Sequence, residues 1–317
     1  MPFKKKRILI TGASGFLGSN LVREMKSQGY AGLQLPAHRD FDLTVQDQVR
    51  AMILKYHPDI VIHLAGLVGG ILINKEKPAD FFYHNLMMGT LMLHESWQGS
   101  VEKFVTCIGG CSYPAHASSP IPEDALWEGY PQPESAPYSI AKKMSVVQSQ
   151  AYRAQYGFNS VVLVPGNLYG PFDNFDLKNS HVIPALIRKV FEAKKRGDSQ
   201  FQVWGTGKPI RDFIYVGDAV KAIIQALEIY NESEIINISS GIETSIRELV
   251  DTIVELVGFQ GEVVWDQSKP DGQMRKGFDV KRMNEKLHYT CSTSLRDGLM
   301  RTIQWFEQNY DSGSIRL

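Results

Sequence analysis

A glycine-rich segment near the N-terminus places the strongest limit on what this chain can fold into. Residues 7–11 (RILIT) form a short apolar run with no charge after the first position, which is the pattern of a strand buried on both faces of a parallel sheet. Gly12, Gly15 and Gly18 follow with the spacing GxxGxxG, and a helical pattern covers residues 16–28. A buried strand, a glycine loop and a helix in this order predict the first unit of a Rossmann-type sheet.

Strand-like and helical patterns continue to alternate along the first half of the chain. The strand-like runs lie at residues 33–35, 60–64, 103–108 and 160–164, and the helical patterns at residues 49–56, 78–97 and 138–156. Strands that alternate with helices in this way are typical of an α/β fold with a doubly wound parallel sheet.

The character of the sequence changes after Pro165, where Gly, Pro, Asn and Asp become denser. The β-like runs here lie at residues 201–204, 235–238 and 263–265, and the helical patterns at residues 181–195, 218–230, 245–257 and 294–310. We expect a smaller mixed α/β lobe that packs over the open end of the sheet and leaves a cleft. The predicted division is a Rossmann domain at residues 1–165 and a second lobe at 166–317, with the chain crossing back near 203–240.

Composition excludes several classes of protein. The 34 basic residues balance 34 acidic ones, which gives no reason to expect binding to nucleic acid or to an anionic membrane. No apolar run reaches the ~18 residues that a membrane-spanning helix needs. The three cysteines argue against a disulfide framework and fit a reducing cytoplasm. Cys107 and Cys111 have no second Cys or His pair at zinc-site spacing, so we expect no metal.

The glycine loop predicts a binding site for a dinucleotide. The first glycine makes a tight turn, the second lets the backbone approach a pyrophosphate, and the third lets the helix pack close to the strand. The helix N-terminus then presents free N–H groups and a partial positive charge to the phosphates. The expected contacts in this segment are Gly12, Ser14, Gly15, Phe16, Leu17 and Gly18. A purely structural turn is the alternative.

The segment after the second strand bears on the choice between NADP and NAD. An acidic residue there favours a ribose hydroxyl, and an arginine favours a 2′-phosphate. His38 and Arg39 point to NADP, whereas Asp40 weakens that interpretation. Asp42 and Leu43 are candidates for contacts with the adenine edge or for a simple turn. We therefore favour NADP over NAD, with a surface cation as the alternative role of Arg39.

Small residues at the end of the third strand, Leu64, Ala65 and Gly66, are a further candidate cofactor contact. They would let the backbone lie against a nicotinamide ribose, and a tight turn is the alternative.

Tyr138 and Lys142 form the candidate proton-transfer pair. They are four residues apart in a predicted helix, and such residues share a face. An ammonium group one turn away and a positive nicotinamide would both lower the pKa of the phenol. Tyr138 would then exchange a proton with an alkoxide while Lys142 also holds the ribose hydroxyls. With the glycine loop, the pair predicts an enzyme that moves a hydride and a proton to or from an alcohol or ketone.

Two further residues are candidates for acid–base chemistry. Cys111 follows the fourth strand, at the sheet edge where ligands bind in open α/β sheets, and a buried inert thiol is the alternative. His181 begins a helix between the two predicted lobes, where it would act as a general acid or simply cap the helix.

Basic and polar residues cluster in the second half of the chain. An arginine beside a glycine turn and a tryptophan suits a diphosphate and a flat base, and an exposed surface charge is the alternative for each residue. The candidates are Asn167, Arg188, Lys189, Trp204, Lys208, Arg211 and Lys276.

Together these motifs resemble the extended short-chain dehydrogenase/reductases and, within them, the GDP-L-fucose synthase family. The glycine loop and the Tyr-x-x-x-Lys pair mark the superfamily only. More specific are the segments CSYP, PYSIAKK, PGNLYGPFDNF, SHVIPALIRK and VWGTGKPIRDFIYVGD.

The resemblance implies a Rossmann domain with a small substrate lobe, in a homodimer packed through helices around the Tyr–Lys helix. It implies epimerisation at C3 and C5 of GDP-4-keto-6-deoxy-D-mannose, followed by reduction at C4 with NADPH. Cys111 and His181 would be the epimerisation base and acid, and Tyr138 and Lys142 the reductase pair. The nucleotide sugar would contact Cys111, Asn167, Lys189, Trp204, Arg211 and Lys276, and the cofactor would also contact Tyr138, Lys142, Pro165, Asn167, Leu168 and His181.

One departure from the family pattern concerns the reduction. The family carries a catalytic Ser or Thr two residues before the cysteine, and this chain has Gly109 there. A missing donor to a developing oxyanion can cost a few kcal/mol. Thr106, Ser112 or a water would have to substitute. Otherwise the activity is altered, for example to an epimerase or dehydratase that recycles its cofactor on a different substrate. Gly166 also replaces the family's usual Thr or Val.

Overall fold

The computed structural model describes residues 2–177, 179–269, 271–313, 315 and 317. The strands are β1 (Ile8–Thr11), β2 (Leu33–Gln34), β3 (Ile60–His63), β4 (Lys103–Cys107), β5 (Ser160–Pro165), β6 (Asn167–Tyr169), β7 (Gln200–Trp204), β8 (Ile210–Tyr215), β9 (Ile236–Ile238), β10 (Glu243–Ser245), β11 (Glu262–Asp266) and β12 (Arg275–Lys276). The helices are α1 (Phe16–Ser27), α2 (Gln46–Tyr56), α3 (Ile71–Glu76), α4 (Pro78–Gln98), α5 (Ala136–Tyr156), α6 (Val182–Arg196), α7 (Val216–Ile229), α8 (Ile246–Val257), α9 (Lys281–Leu287) and α10 (Leu295–Asn309).

A six-stranded parallel sheet organises the N-terminal half, in the order β2-β1-β3-β4-β5-β9. Successive side chains of a strand point to opposite faces. Ile8 and Ile10 accordingly pack in a core under α1 and α7, while Leu9 packs in a separate core under α2 and α4. Helices on both faces explain why β1 is buried along its whole length. The predicted doubly wound α/β fold is confirmed.

The C-terminal half builds two smaller sheets. One contains β6, β8, β10 and β12, and the other pairs β7 with β11 in parallel. A further core lies among α6, α8 and α10 and includes Ile187, Leu249, Ile253, Leu299 and Phe306. The chain returns to the large sheet with α7 and β9. Among the described residues, there is no helix whose length and apolar character would let it cross a bilayer.

A buried lysine of β4 holds the C-terminal end of α7 against the sheet. The Nζ of Lys103 donates to the carbonyl oxygens of Ala226, Leu227 and Tyr230 at 3.1, 2.7 and 2.6 Å, and to Asn231 Oδ1 at 3.1 Å. The last carbonyls of a helix have no partner within the helix. Lys103 supplies donors for them where little water can enter, since only 3% of it is exposed.

We expect the substitution Lys103→Met to lower the free energy of unfolding by about 3 kcal/mol, because it leaves buried carbonyl groups without donors. Urea denaturation followed by circular dichroism measures the change. Lys221→Met, at an exposed position of α7, is the matched control and should change stability little. Equal stability of the two variants would contradict this role of Lys103.

Candidate active site

The candidate site residues lie at the carboxyl ends of the parallel strands, where ligands bind in open α/β sheets. The glycine loop follows β1, Leu64–Gly66 follows β3, and Cys111 follows β4. The smaller sheets and α6 form the opposite wall.

The glycine loop has the geometry that a pyrophosphate requires. Gly12 adopts a positive φ of 71°, and a Cβ there would lie 2.6 Å from the backbone nitrogen of Ala65. A Cβ on Gly18 would overlap the carbonyl of Gly12, so that position also admits only glycine. Gly15 is the N-cap of α1, and no side chain caps the helix. The helix N-terminus can therefore receive an anion through its backbone N–H groups, and these residues fit a dinucleotide.

Leu64, Ala65 and Gly66 are held beside this loop by a buried polar pair that the sequence did not reveal. Thr11 Oγ1 and His63 Nδ1 are 2.8 Å apart, and the Ala65 N–H donates to Thr11 Oγ1 at 3.4 Å. Burial, with a smaller contribution from Lys142, lowers the pKa of His63 to about 3. The imidazole is therefore neutral and links the end of β1 to the end of β3.

The loop after Gly66 is fixed by Asn85, which the sequence analysis also missed. Its Nδ2 donates to the carbonyl oxygens of Leu67 and Phe81 at 3.0 and 2.8 Å, and its Oδ1 accepts from the Leu67 N–H at 3.1 Å. Asn85 is only 2% exposed. A buried amide in an otherwise apolar helical stretch was the available signal.

The adenosine-side candidates lie on the segment after β2. His38 and Arg39 are exposed, and Arg39 Nε is 3.8 Å from Asp40 Oδ1. Asp42 Oδ1 accepts from the backbone N–H and the hydroxyl of Thr44, and these bonds lower the pKa of Asp42. Leu43 is buried in the core under α2 and α4.

Tyr138 and Lys142 lie in the first turns of α5, which has a proline in its first turn. Lys142 is 8% exposed, and a Cβ on Gly66 would lie 3.6 Å from its Nζ. The Tyr138 ring packs edge-on against Phe81 with 6.2 Å between ring centroids. The structure therefore brings the ammonium group of Lys142 to the segment expected to hold the nicotinamide ribose.

The pKa of Tyr138 shifts in the direction opposite to our expectation. Burial raises the pKa of the phenol, and the thiols of Cys111 and Cys107 raise it further. Burial also lowers the pKa of Lys142. The expected lowering of the Tyr138 pKa is wrong for the protein groups alone, because burial disfavours the phenolate. A protonated phenol is the form that a reductase needs in order to give a proton to its product.

Cys111 lies on the segment between β4 and α5 and is tied to the helix of Tyr138. Ser139 Oγ donates to the Cys111 carbonyl at 3.1 Å, and Ser112 Oγ donates to the Ser139 carbonyl at 3.4 Å. A Cβ on Gly109 would lie 3.1 Å from Cys111 Sγ and 3.6 Å from Tyr138 Oη. The thiol and the phenol thus border the same glycine.

His181 is the N-cap residue of α6, and its side chain forms no capping hydrogen bond. The neighbouring Asn179 accepts from the Gly70 N–H at 3.3 Å, which brings this segment to the loop after β3. Protein atoms around the His181 imidazole displace water from it, and this desolvation lowers its pKa. More than a third of the residue is nevertheless exposed to solvent.

Three of the remaining substrate candidates, Asn167, Trp204 and Arg211, line one cavity. It has a volume of about 240 Å³, and its lining includes Asn167, Val182, Trp204, Arg211 and Asp271. Lys189 Nζ lies 5.3 Å from the centroid of a Trp204 ring. Lys276 of β12 pairs with Arg211 of β8.

Lys276 interacts electrostatically with the Cys111 thiol as well as with Arg211. Burial lowers the pKa of Lys276, and the interaction with Cys111 acts in the opposite direction. The positive charges of Arg211 and its strand neighbour Lys276 suit a diphosphate.

The structure does not bring every candidate to the cleft. Leu168 packs against the core under α1 and α7, and Pro165 ends β5 as a buried residue. Asn167 does line the cavity, but its Nδ2 donates within the protein, to the Asp212 carbonyl at 2.8 Å. Arg188 Nε donates to Glu192 at 2.7 Å, and Lys208 is exposed.

Phe278 is a further residue that the sequence analysis missed. It is 3% exposed, and its ring occupies the space that side chains at Gly110 and Gly166 would need. An aromatic residue from the segment after β12 thus fixes the ends of β4 and β5. No local pattern marks it, since its partners are distant in sequence.

Comparison with known proteins agrees with this geometry. The model of the NAD dependent epimerase/dehydratase family matches residues 8–239. GDP-L-fucose synthase 1 of Arabidopsis thaliana is 41% identical over 98% of this chain and 95% of the relative, and GDP-L-fucose synthase of Escherichia coli is 38% identical over 97% and 98%.

Solved structures give the same picture. A GDP-L-fucose synthetase from Naegleria fowleri bound to NADP superposes with a TM-score of 0.90 at 30% identity, covering 98% of this chain and 96% of that one. A GDP-6-OMe-4-keto-L-xylo-heptose reductase from C. jejuni has a TM-score of 0.89 at 29% identity, covering 96% and 99%. The chain therefore belongs to the NAD dependent epimerase/dehydratase family and, within it, to the GDP-L-fucose synthase family.

Proposed function

We propose that this protein is an NADP-dependent epimerase-reductase of a GDP-linked 4-keto-6-deoxy sugar, and that GDP-4-keto-6-deoxy-D-mannose is converted to GDP-L-fucose. The observation that carries the proposal is that Cys111 and Tyr138 meet at Gly109, in a chain whose second half forms a cavity lined by Trp204 and Arg211. Relatives and a structural neighbour of this chain are named as synthases and reductases of GDP-sugars. These names favour the proposed function over an epimerase or dehydratase with a recycled cofactor.

The cofactor would be held by the glycine loop, by the Leu64–Gly66 backbone and by Lys142, whose Nζ reaches the position next to Gly66. The reduced nicotinamide supplies the hydride that reduces the C4 carbonyl carbon. Tyr138 gives its proton to the carbonyl oxygen, and Lys142 orients the ribose.

Epimerisation uses the acidity of protons next to the C4 ketone. The Cys111 thiolate would remove a proton from C3 or C5, and protonated His181 would return one to the opposite face of that carbon. The thiol then loses its proton to solvent and the imidazole takes one from solvent, which restores both groups for the next inversion. The lowered pKa of His181 makes its protonated form a stronger acid.

The cavity with Trp204 and Arg211 would hold the nucleotide. Trp204 offers a flat, exposed ring to the base, and Lys189 lies over that ring. Arg211 would contact the diphosphate, since guanidinium groups bind phosphate oxygens in pairs.

The test incubates the purified protein with NADPH and a panel of 4-keto sugars linked to GDP or to other nucleotides. Loss of absorbance of the reduced nicotinamide measures turnover, and NMR identifies the product. Net oxidation of NADPH with GDP-4-keto-6-deoxy-D-mannose is expected. Conversion of a sugar without net NADPH oxidation would contradict the proposal.

We further propose that the protein is a homodimer in the cytoplasm. Apolar side chains of α4 and α5 remain exposed, among them Phe82, Tyr83, Val147 and Tyr156, and a second copy would cover them. The free thiols of Cys107, Cys111 and Cys291 fit a reducing compartment. Light scattering should give twice the mass of one chain, and cell fractionation should place the protein in the soluble fraction. A monomeric mass would contradict the proposed homodimer, and recovery of the protein in another fraction would contradict the proposed location.

A further inference from the structure

The backbone conformation at position 109 does not require glycine. Its φ of −89° and ψ of 149° are ordinary extended values, which any residue can adopt. A Cβ there would lie 3.5 and 3.6 Å from Cε1 and Oη of Tyr138, which are normal contact distances. Only the rotatable Cys111 thiol, at 3.1 Å, would have to move slightly.

The neighbouring glycines differ in this respect. A Cβ on Gly110 would lie 2.5 Å from the ring of Phe278, and a Cβ on Gly166 would overlap Ser239 Oγ and lie 3.3 Å from the same ring. Because Phe278 is buried, these two positions are glycine for packing reasons. Gly109 has no such reason, so its missing side chain leaves a recess between the thiol and the phenol.

Thr106 and Ser112 carry the hydroxyl groups nearest to Gly109 in sequence, and neither hydroxyl donates into this recess. Thr106 Oγ1 donates to the His63 carbonyl at 3.1 Å, and Ser112 Oγ donates to the Ser139 carbonyl at 3.4 Å. Both residues are buried, at 2% and 0% exposure. A second donor beside Tyr138 therefore has to come from elsewhere.

We propose that a water molecule occupies the recess at Gly109, held by Tyr138 Oη and Cys111 Sγ, and donates a hydrogen bond to the ketone oxygen of the substrate. The proposal rests on the function proposed above. A buried water needs two to four polar partners and about the volume of one small group, and the phenol, the thiol and the ketone provide three. The water transfers no proton in net terms, because the proton on the product oxygen comes from Tyr138. It stabilises the charge that develops on that oxygen.

Two substitutions at one position test the proposal. Gly109→Ala fills the recess without a donor and should lower kcat for NADPH oxidation by roughly 10²–10³-fold, the range expected when one oxyanion donor is lost. Gly109→Ser fills the same recess and brings its own hydroxyl, so it should keep at least the wild-type rate. An alanine variant as fast as wild type, or a serine variant as slow as alanine, would overturn the proposal.

A structural measurement separates this proposal from the proposed function. High-resolution crystal structures of wild type and Gly109→Ala with NADP⁺ should show a water within hydrogen-bonding distance of Tyr138 Oη in wild type only. An empty wild-type recess would overturn the proposal even if the enzyme reduces 4-keto sugars. An ordered water in a protein that reduces none of them would refute the proposed function and the water's role at the ketone, while the water site itself would stand.

Discussion

Replacing Tyr138 with Phe should lower the rate of NADPH oxidation by roughly 10²–10⁴-fold, the range typical of a lost general acid. The substitution removes the hydroxyl that donates the proton and keeps the ring that packs on Phe81. Binding of NADPH, followed by titration calorimetry, should change little, because the glycine loop and Lys142 remain. Stopped-flow absorbance with the 4-keto sugar measures the rate.

The matched control for this prediction is Tyr130→Phe, which removes a phenolic hydroxyl from a residue that is 65% exposed. It should retain wild-type turnover. If Tyr138→Phe also oxidised NADPH at the wild-type rate, the proton would have to come from another group, and the reductase assignment of Tyr138 would be wrong.

The second large effect concerns the exchange of protons at carbon. We expect Cys111→Ser to lower the uptake of solvent deuterium at C3 and C5 by roughly 10²-fold or more. The thiolate is the reactive form of a cysteine, and a serine hydroxyl loses its proton far less readily than a thiol does. NMR or mass spectrometry of sugar incubated in D₂O measures the label.

Cys291→Ser is the control for the change from sulfur to oxygen. Cys291 Sγ donates to the Ser239 carbonyl at 3.3 Å, a bond that a serine hydroxyl can also make, so deuterium uptake should be unaffected. Full labelling by Cys111→Ser, with NADPH binding intact, would show that another base removes the protons and would leave Cys111 without its proposed role.

The large sheet could be predicted because its strands are recognisable alone. The central strands β1, β3 and β5 are buried at every position, and burial on both faces leaves continuous apolar runs in the sequence. The pairing of Thr11 with His63 could not be predicted in the same way. It depends on the register between β1 and β3, which neither strand shows by itself.

The runs at residues 201–204 and 263–265 were predicted and pair as β7 and β11, but the strands β10 and β12 of the other small sheet were not predicted, for a related reason. Arg275–Lys276 and Glu243–Ser245 are short and polar, so no alternation of apolar residues marks them. Each becomes a strand because it pairs with β8. Phe278 and the raised pKa of Tyr138 belong to the same class, since both depend on neighbours that are distant along the chain.

The hydrogen bond between Ser139 and the Cys111 carbonyl has a consequence for how the two halves of the reaction are timed. Ser139 is adjacent to Tyr138 in α5, so the residue that carries the thiol and the residue that carries the phenol are joined through one helix. If the proposed function holds, an inverted sugar need not diffuse away and rebind before it is reduced.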